Sequence, residues 1–216
     1  MNTKKNLIIL LFLLIGSATF AQKHEATLFL KEGTKLKGLA RIKADHTVKF
    51  RKDKNSEACI YTFREIRGLK IEEDYEQNTY HYKMIKKNMV MRPKLFKLCV
   101  KGKMSLYSLH HKYMHTVGGS GPITMAGPPG VGSVSMPGFP GHTMGGETTS
   151  YYICMNDNHI VEPVTKVGNG LGRSLRKTGL KFFKDCPVVA EKIRNKTYKK
   201  RDIELAVYEY NLHIGN

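Results

Sequence analysis

Between residues 24 and 90 the chain alternates apolar and polar positions in short runs. In "VKFRK", Val48 and Phe50 alternate with Lys49 and Arg51. "ATLFLKEGTKLKGLARI" places two β-rich runs on either side of Glu32-Gly33, and "ADHT" ends that unit. "ACIYTF" follows, with Ile60 as a candidate inward residue; "GLKIEE" and "TYHYKMI" come next, joined by the polar "DYEQN". Alternation broken by turn signals at intervals of roughly 8–12 residues predicts an antiparallel sheet or small barrel. Gly33 suits a tight turn and Gly38 a bend within a strand.

The strand pattern continues through "KLFKLCVKGKMSLYSL", where Lys101-Gly102-Lys103 separates Leu98 and Val100 from Leu106. "SLYSLHHKYMHTV" then runs into residues 118–147, which hold ten of the twenty glycines and five of the eight prolines. Beyond them "TSYYICM" resumes the β pattern and turns at "NDN". The two arms predict one hairpin with 118–147 as its enlarged, disordered tip. A loop of that length in a compact domain is usually functional or disordered. Its scattered apolar residues are too few for a core and suit a partner-docking arm or a tolerated insertion.

From Gly168 the periodicity changes. Leu175, Leu180 and Phe183 stand near helical spacing, and Pro187 suits the first turn of a second helix in "CPVVAEKIRNK". Asp202 precedes "IELAVYEYNLHI", where Ile203, Val207, Tyr210 and Ile214 share one face. The expected fold class is therefore α+β. An antiparallel β-rich part at 22–92, whose first strands resemble a small SH3- or Sm-type barrel, precedes a hairpin part at 93–167. A basic three-helix tail at 168–216 packs on the sheet.

Residues 1–21 are expected to be removed. Lys4 and Lys5 precede the apolar run Leu7–Ile15, and small residues end in Ala21 before Gln22, the three-part pattern of a cleaved secretory signal. The run is shorter than the roughly 20 residues needed to cross a bilayer. No later segment is long and apolar enough, so no transmembrane span is expected after cleavage. The expected location is the periplasm, or an extracellular or outer-membrane-associated position, of a Gram-negative bacterium.

Charge narrows the partners. The chain carries a formal net charge of +18. Basic proteins attract polyanions, and outside the cytoplasm these include anionic lipid, lipopolysaccharide and polysaccharide. Export removes the chain from the chromosome, so no dedicated nucleic-acid target is expected. The charge concentrates in the tail: from Val164 to Asp202, twelve Lys and Arg face only Asp185, Glu191 and Asp202. Arg173, Arg176, Lys177, Lys199, Lys200 and Arg201 are the candidate anion-binding residues; a solvated helix face is the competing reading. The four cysteines, Cys59, Cys99, Cys154 and Cys186, form no closely spaced pair. Disulfides and buried thiols both remain open.

"LKEGTKLKGLARI", "KGKMSLY" and "FFKDCPVVAEKIRNKTYKKRDIELAVYEYN", with a leader ending "FAQ", resemble a group of uncharacterised exported proteins of Bacteroidota. The resemblance covers most of the chain outside 118–147 and is most specific in the tail. It implies an envelope location and a β-then-α layout, and it supplies no catalytic residues.

No reaction is written in the sequence. Ser108 lies near His110 and His111, and Asp157 near His159, but neither stands in a nucleophile-elbow pattern. "GNGLGR" at 168–173 lacks the lysine and spacing of a phosphate loop. A non-enzymatic binding or structural role without a cofactor, contacting an anionic surface or another envelope protein, is the main expectation; a hydrolase is a distant one. The second expectation is a copper-type metal site using His111, His115, Met125, Met136, His142 and Met144, because imidazole and thioether suit Cu(I). His111 and His115 share a strand face.

Overall fold

The computed structural model describes residues 24–73, 75–117, 123–125, 134–136, 142–168 and 174–215. The expected signal segment 1–21 and Arg173 lie outside the described residues. The chain divides into two compact units, Met1–Gln77 and Asn78–Asn216.

The first unit contains β1 (His24–Leu30), β2 (Lys35–Ile42), β3 (Val48–Arg51), β4 (Cys59–Tyr61) and β5 (Ile66–Glu73). They run in the order β5-β1-β2-β3-β4, with every pairing antiparallel. The alternation at Val48 and Phe50 is realised: both are buried, together with Leu28, Ala40, Ile66, Leu69 and Ile71. Gly33 turns β1 into β2 with φ at +103°, a conformation that glycine enters without steric cost. Gly38 serves close packing instead; a Cβ there would stand 2.2 Å from the Arg51 carbonyl oxygen. Ile60 does not point inward. It is 50% exposed, because β4 is a three-residue strand at the edge of the order and pairs only with β3.

The second unit holds most of β6 (Glu76–Lys87), then β7 (Val90–Val100), β8 (Met104–Val117), β9 (Ile123–Met125), β10 (Val134–Met136), β11 (His142–Met155) and β12 (Ile160–Gly168). The order is β12-β11-β8-β7-β6, and a parallel pairing of Ile160 with Met84 and Val161 with Ile85 joins its two ends. Phe96, Tyr107, Leu109, Cys154 and Val161 form one buried cluster of these strands. The anticipated hairpin is present, but its ladder is longer than its β-rich arms. Pairing extends to His142↔Val117, so residues 142–147 belong to β11 and not to a loop. Ile123–Met125 also pairs with Val134–Met136. The described parts of 118–147 are thus strand-paired rather than structureless, and its remaining residues lie outside the described set.

Three helices follow: α1 (Leu175–Thr178), α2 (Pro187–Arg194) and α3 (Ile203–Ile214), the last entered through a 3-10 turn at Lys200–Asp202. The first is only one turn long; Leu180 and Phe183 fall beyond it, after Gly179. Pro187 opens α2 as its first residue. Asp202 occupies the cap position of α3, but its carboxylate accepts from the Lys199 N–H at 2.8 Å instead of capping the helix. Ile203, Val207 and Tyr210 are buried as their spacing requires. They join Phe183, Val189 and Ile193 against Met104, Leu106, Ile153 and Val164 in the core between helices and strands. All four cysteines are free thiols; Cys154 and Cys186 are buried, and Cys59 is exposed.

Candidate functional site

The helical tail builds a basic groove. Thr178 at the end of α1 donates its hydroxyl to the Val164 carbonyl of β12 at 2.5 Å, which fixes the first helical turn against the strands. After α2, Asn195 accepts from both the N–H and the hydroxyl of Thr197, at 3.1 and 2.7 Å. Lys196 takes a left-handed φ of 66° within that turn. The chain thereby reverses, and the Tyr198 N–H donates to the Lys192 carbonyl at 2.9 Å.

The resulting groove is open and encloses about 470 Å³. Among the described residues, five cations line it, Arg176, Lys177, Lys196, Lys199 and Lys200, beside Leu175, Ile193 and Tyr198, and no carboxylate does. Leu175 and Ile193 are buried and give the groove an apolar base. Among the described residues, none of the five cations forms an ion pair. Concentrated positive charge over a low-dielectric base strengthens the attraction for an anion.

The tyrosine wall is held from behind. Glu209 accepts from Lys192 at 2.6 Å and from the Tyr198 hydroxyl, and the Lys192 ammonium lies 5.5 Å from the Tyr198 ring centre. The Lys192 hydrogen bond, followed by that of Tyr198, holds the Glu209 carboxyl below its ordinary range. Glu209 thus neutralises Lys192 outside the groove and leaves the lining cations uncompensated.

Of the six residues expected from charge, the structure brings Arg176, Lys177, Lys199 and Lys200 into this groove. Arg201 is exposed but does not line it. Lys196, Leu175, Ile193 and Tyr198 were absent from that expectation. "RNKTYKK" carried a visible signal for Lys196; the apolar base had none, since Ile193 reads simply as core.

A second cluster of ionisable groups is built around Lys83. Its ammonium, almost fully buried, donates to the Asp157 carboxylate at 2.8 Å and to the Asn158 carbonyl at 2.7 Å, and lies 5.3 Å from the Tyr107 ring centre. His81 Nδ1 shares a 3.2 Å hydrogen bond with the Tyr107 hydroxyl, and the Cys154 thiol donates to the Asn158 carbonyl at 2.9 Å. Burial pushes the Tyr107 phenol and the Cys154 thiol above their ordinary values, so both remain protonated. Every polar group named here is engaged within the protein, and the cluster acts as a clasp on the β11–β12 turn.

The residues weighed for nucleophilic chemistry are dispersed. Ser108 accepts from the Cys99 thiol at 3.2 Å. His110 is held by Thr149 at 3.2 Å and Glu147 at 3.4 Å. Among the described residues, no hydrogen bond joins Ser108 to His110 or His111, or Asp157 to His159.

The metal candidates divide. His111, His115, His142 and Met144 all lie on the β8–β11 ladder, whereas Met125 and Met136 belong to the separate β9–β10 pairing. No protein-family profile, curated protein or solved structure matches the chain.

Proposed function

We propose that this is an exported, non-enzymatic binding protein of the cell envelope whose groove between α1 and the Lys196–Lys200 turn holds an anionic amphiphile. The observation that carries the reading is the lining: among the described residues, five cations and no carboxylate stand over Leu175, Ile193 and Tyr198. Cations alone fit any polyanion. Cations around an apolar base fit a molecule with phosphate or carboxylate groups and an attached hydrocarbon part, such as an anionic lipid or lipopolysaccharide. A purely polar polysaccharide would leave that base unused. The leader-like 1–21 segment and the resemblance to exported proteins of Bacteroidota support a periplasmic or outer-membrane-associated setting. In the N-terminal unit, the antiparallel order β5-β1-β2-β3-β4 supports an SH3-like barrel as the scaffold.

The test is binding to anionic and zwitterionic vesicles, and to heparin, from about 0.05 to about 0.5 M salt, a range over which screening shortens from more than 10 Å to a few Å. Binding to anionic vesicles that weakens with salt is expected. Combined charge reversal by Arg176→Glu, Lys177→Glu, Lys199→Glu and Lys200→Glu should reduce it at least about tenfold, a loss near 1.4 kcal/mol. Equal binding to zwitterionic vesicles, or a charge-reversed variant that binds as before, overturns the reading.

A further inference from the structure

The tip of the β6–β7 hairpin is built against its own stability. Lys87 pairs with Val90, so Asn88 and Met89 make the turn between them, both with left-handed φ. Asparagine enters that conformation readily; methionine does so at a cost, because its Cβ crowds the following carbonyl oxygen. Burial usually offsets such a cost for a large apolar side chain, and here it does not. Met89 is 84% exposed, and Val90 beside it is 52% exposed. Glycine would close the same turn without strain. A strained position that holds an apolar residue in water points to a contact made outside the free molecule.

Charge identifies the partner. Val90 lies directly opposite Lys87, Met91 opposite Lys86, and Arg92 opposite Ile85. Directly opposed residues hold their Cβ atoms roughly 4.5–5.5 Å apart, so Val90 and Met91 each have a cation beside them. Lys86, Lys87 and Arg92 are exposed, and among the described residues none of them forms an ion pair. Between Glu76 and Glu147 the sequence contains no Asp or Glu. Glu162, the residue after Val161 of the Val161–Ile85 pair, is engaged by Lys181 at 2.5 Å. The tip is therefore apolar at its end and ringed by uncompensated positive charge.

We propose that this tip docks on an anionic bilayer, with Met89 and Val90 entering the boundary between headgroups and acyl chains and Lys86, Lys87 and Arg92 meeting lipid phosphates. The surface rests on the proposed envelope setting but not on the basic groove, which belongs to the helical tail.

A bilayer presents the two matching chemistries in the matching order, negative charge outside and hydrocarbon directly beneath. A free polyanion would satisfy the cations and leave Met89 and Val90 in water. The insertion is shallow, because the turn's backbone groups and the Asn88 amide must keep polar partners. Two apolar side chains alone hold a protein only marginally, so the tip needs its cations and releases the bilayer when salt screens them.

The chain contains no tryptophan, so Met89→Trp gives a reporter with no background. Vesicles of equal parts phosphatidylglycerol and phosphatidylcholine, at about 0.05 M salt, should shift its emission to the blue, and lipids brominated in the acyl chains should quench it. Phosphatidylcholine alone should do neither. Ile60→Trp, equally exposed on β4, should report water throughout. At saturating lipid the shift is expected in the groove charge-reversed protein too, so failure of the groove and failure of the tip are read separately. Lys86→Glu, Lys87→Glu and Arg92→Glu combined should weaken vesicle binding at least about tenfold. Met89→Gly relieves the strain and should fold more stably, yet bind these vesicles about fivefold less tightly. A tip reporter that stays in water on bound protein, an equal shift at position 60, or a Met89→Gly protein that binds as before overturns the proposal.

Discussion

Asn211 of α3 grips both backbone groups of Met104, the first residue of β8: its Oδ1 accepts from the Met104 N–H at 2.9 Å, and its Nδ2 donates to the Met104 carbonyl at 2.8 Å. One side-chain amide thus acts as the missing strand partner where the β7–β8 hairpin ends. The close fit explains Gly102, since a Cβ there would stand 2.3 Å from the Asn211 amide nitrogen. Asn211→Leu leaves both Met104 groups unpaired beside the core. It should cost about 2 kcal/mol, the sum of two ordinary hydrogen bonds. Asn211→Asp retains the acceptor alone and should fall between. Gly102→Ala displaces the same amide, so the double variant should lose less than the sum of the single losses. Urea midpoints at constant slope provide the measurement; additive losses would show that Gly102 and Asn211 act separately.

Lys83 and His81 set an acid limit on the second unit. Burial, and then repulsion from Lys83, depress the His81 pKa below its ordinary 6.5. Asp157 and Lys101 are the other charges acting on it, with the Tyr107 hydroxyl in contact. The unfolded chain therefore takes up this proton first as pH falls. The contribution is fully present above pH 6.5 and is lost as pH drops through the lower folded value. Asp157 is also depressed, chiefly by its hydrogen bond from Lys83, so its contribution holds above 3.8 and fades in more acidic solution. Its carboxylate is 85% exposed, so water screens that second step and keeps it small. Urea midpoints followed from about pH 7.5 to about pH 5 should decline in the wild type and flatten in His81→Gln. A slope unchanged by the substitution would assign the decline to other groups.

The β6–β7 turn carries avoidable strain. Asn88 and Met89 have φ of 48° and 65°, and Lys87 pairs with Val90 around them. This is the mirror-image two-residue turn that asparagine followed by glycine forms best. Asn88 fits; Met89 carries the strain of its Cβ, and the residue is 84% exposed and gains no burial in return. Met89→Gly should raise stability by about 1 kcal/mol, the usual penalty of a left-handed non-glycine residue. Thermal and urea unfolding would show it. A loss of stability would mean that Met89 makes a contribution its exposure conceals.

That turn also illustrates what the sequence made legible. Alternation located β3 through Val48 and Phe50, and a spacing of four, three and four located α3 through Ile203, Val207, Tyr210 and Ile214, because burial imposes those periods directly. "NDN" announced its turn, since Asn156 and Asp157 tolerate the left-handed φ of 50° and 52° they adopt. Asn88-Met89 announced nothing, because methionine is no turn residue. The continuation of β11 to His142 was hidden for a related reason: Gly145 and Gly146 read as loop, and only their opposition to Met114 and Tyr113 holds them in a strand. At the groove, charge pointed to four of the five lining cations. The base of Leu175 and Ile193 was invisible, because no local pattern distinguishes the floor of a groove from ordinary core.

The outer face of α3 offers a test of whether the proposed anionic ligand comes from a membrane or from a free polyanion. Leu205, Tyr208 and Leu212 are 54%, 56% and 56% exposed, and their spacing of three and four puts them on one helical face. Arg201 is exposed in the 3-10 turn that leads into α3. A helix with apolar residues on its outer as well as its inner face, joined to a basic turn, suits the interfacial region of a bilayer, where side chains enter among the acyl chains while cations meet headgroups. Such binding combines a salt-sensitive and a salt-resistant part. Leu205→Ser, Tyr208→Ser and Leu212→Ser combined should leave the urea midpoint nearly unchanged, because solvent-exposed positions usually alter stability by less than about 0.5 kcal/mol each. The variant should hold heparin as before and anionic vesicles at about 0.05 M salt, but release the vesicles at about 0.5 M, where screening removes the ionic part. The groove charge reversals should produce the opposite pattern, with heparin and low-salt vesicle binding lost together. Vesicle retention at high salt that survives the serine variant would show that α3 does not enter the bilayer, and the proposed ligand of the groove would then be a soluble anion.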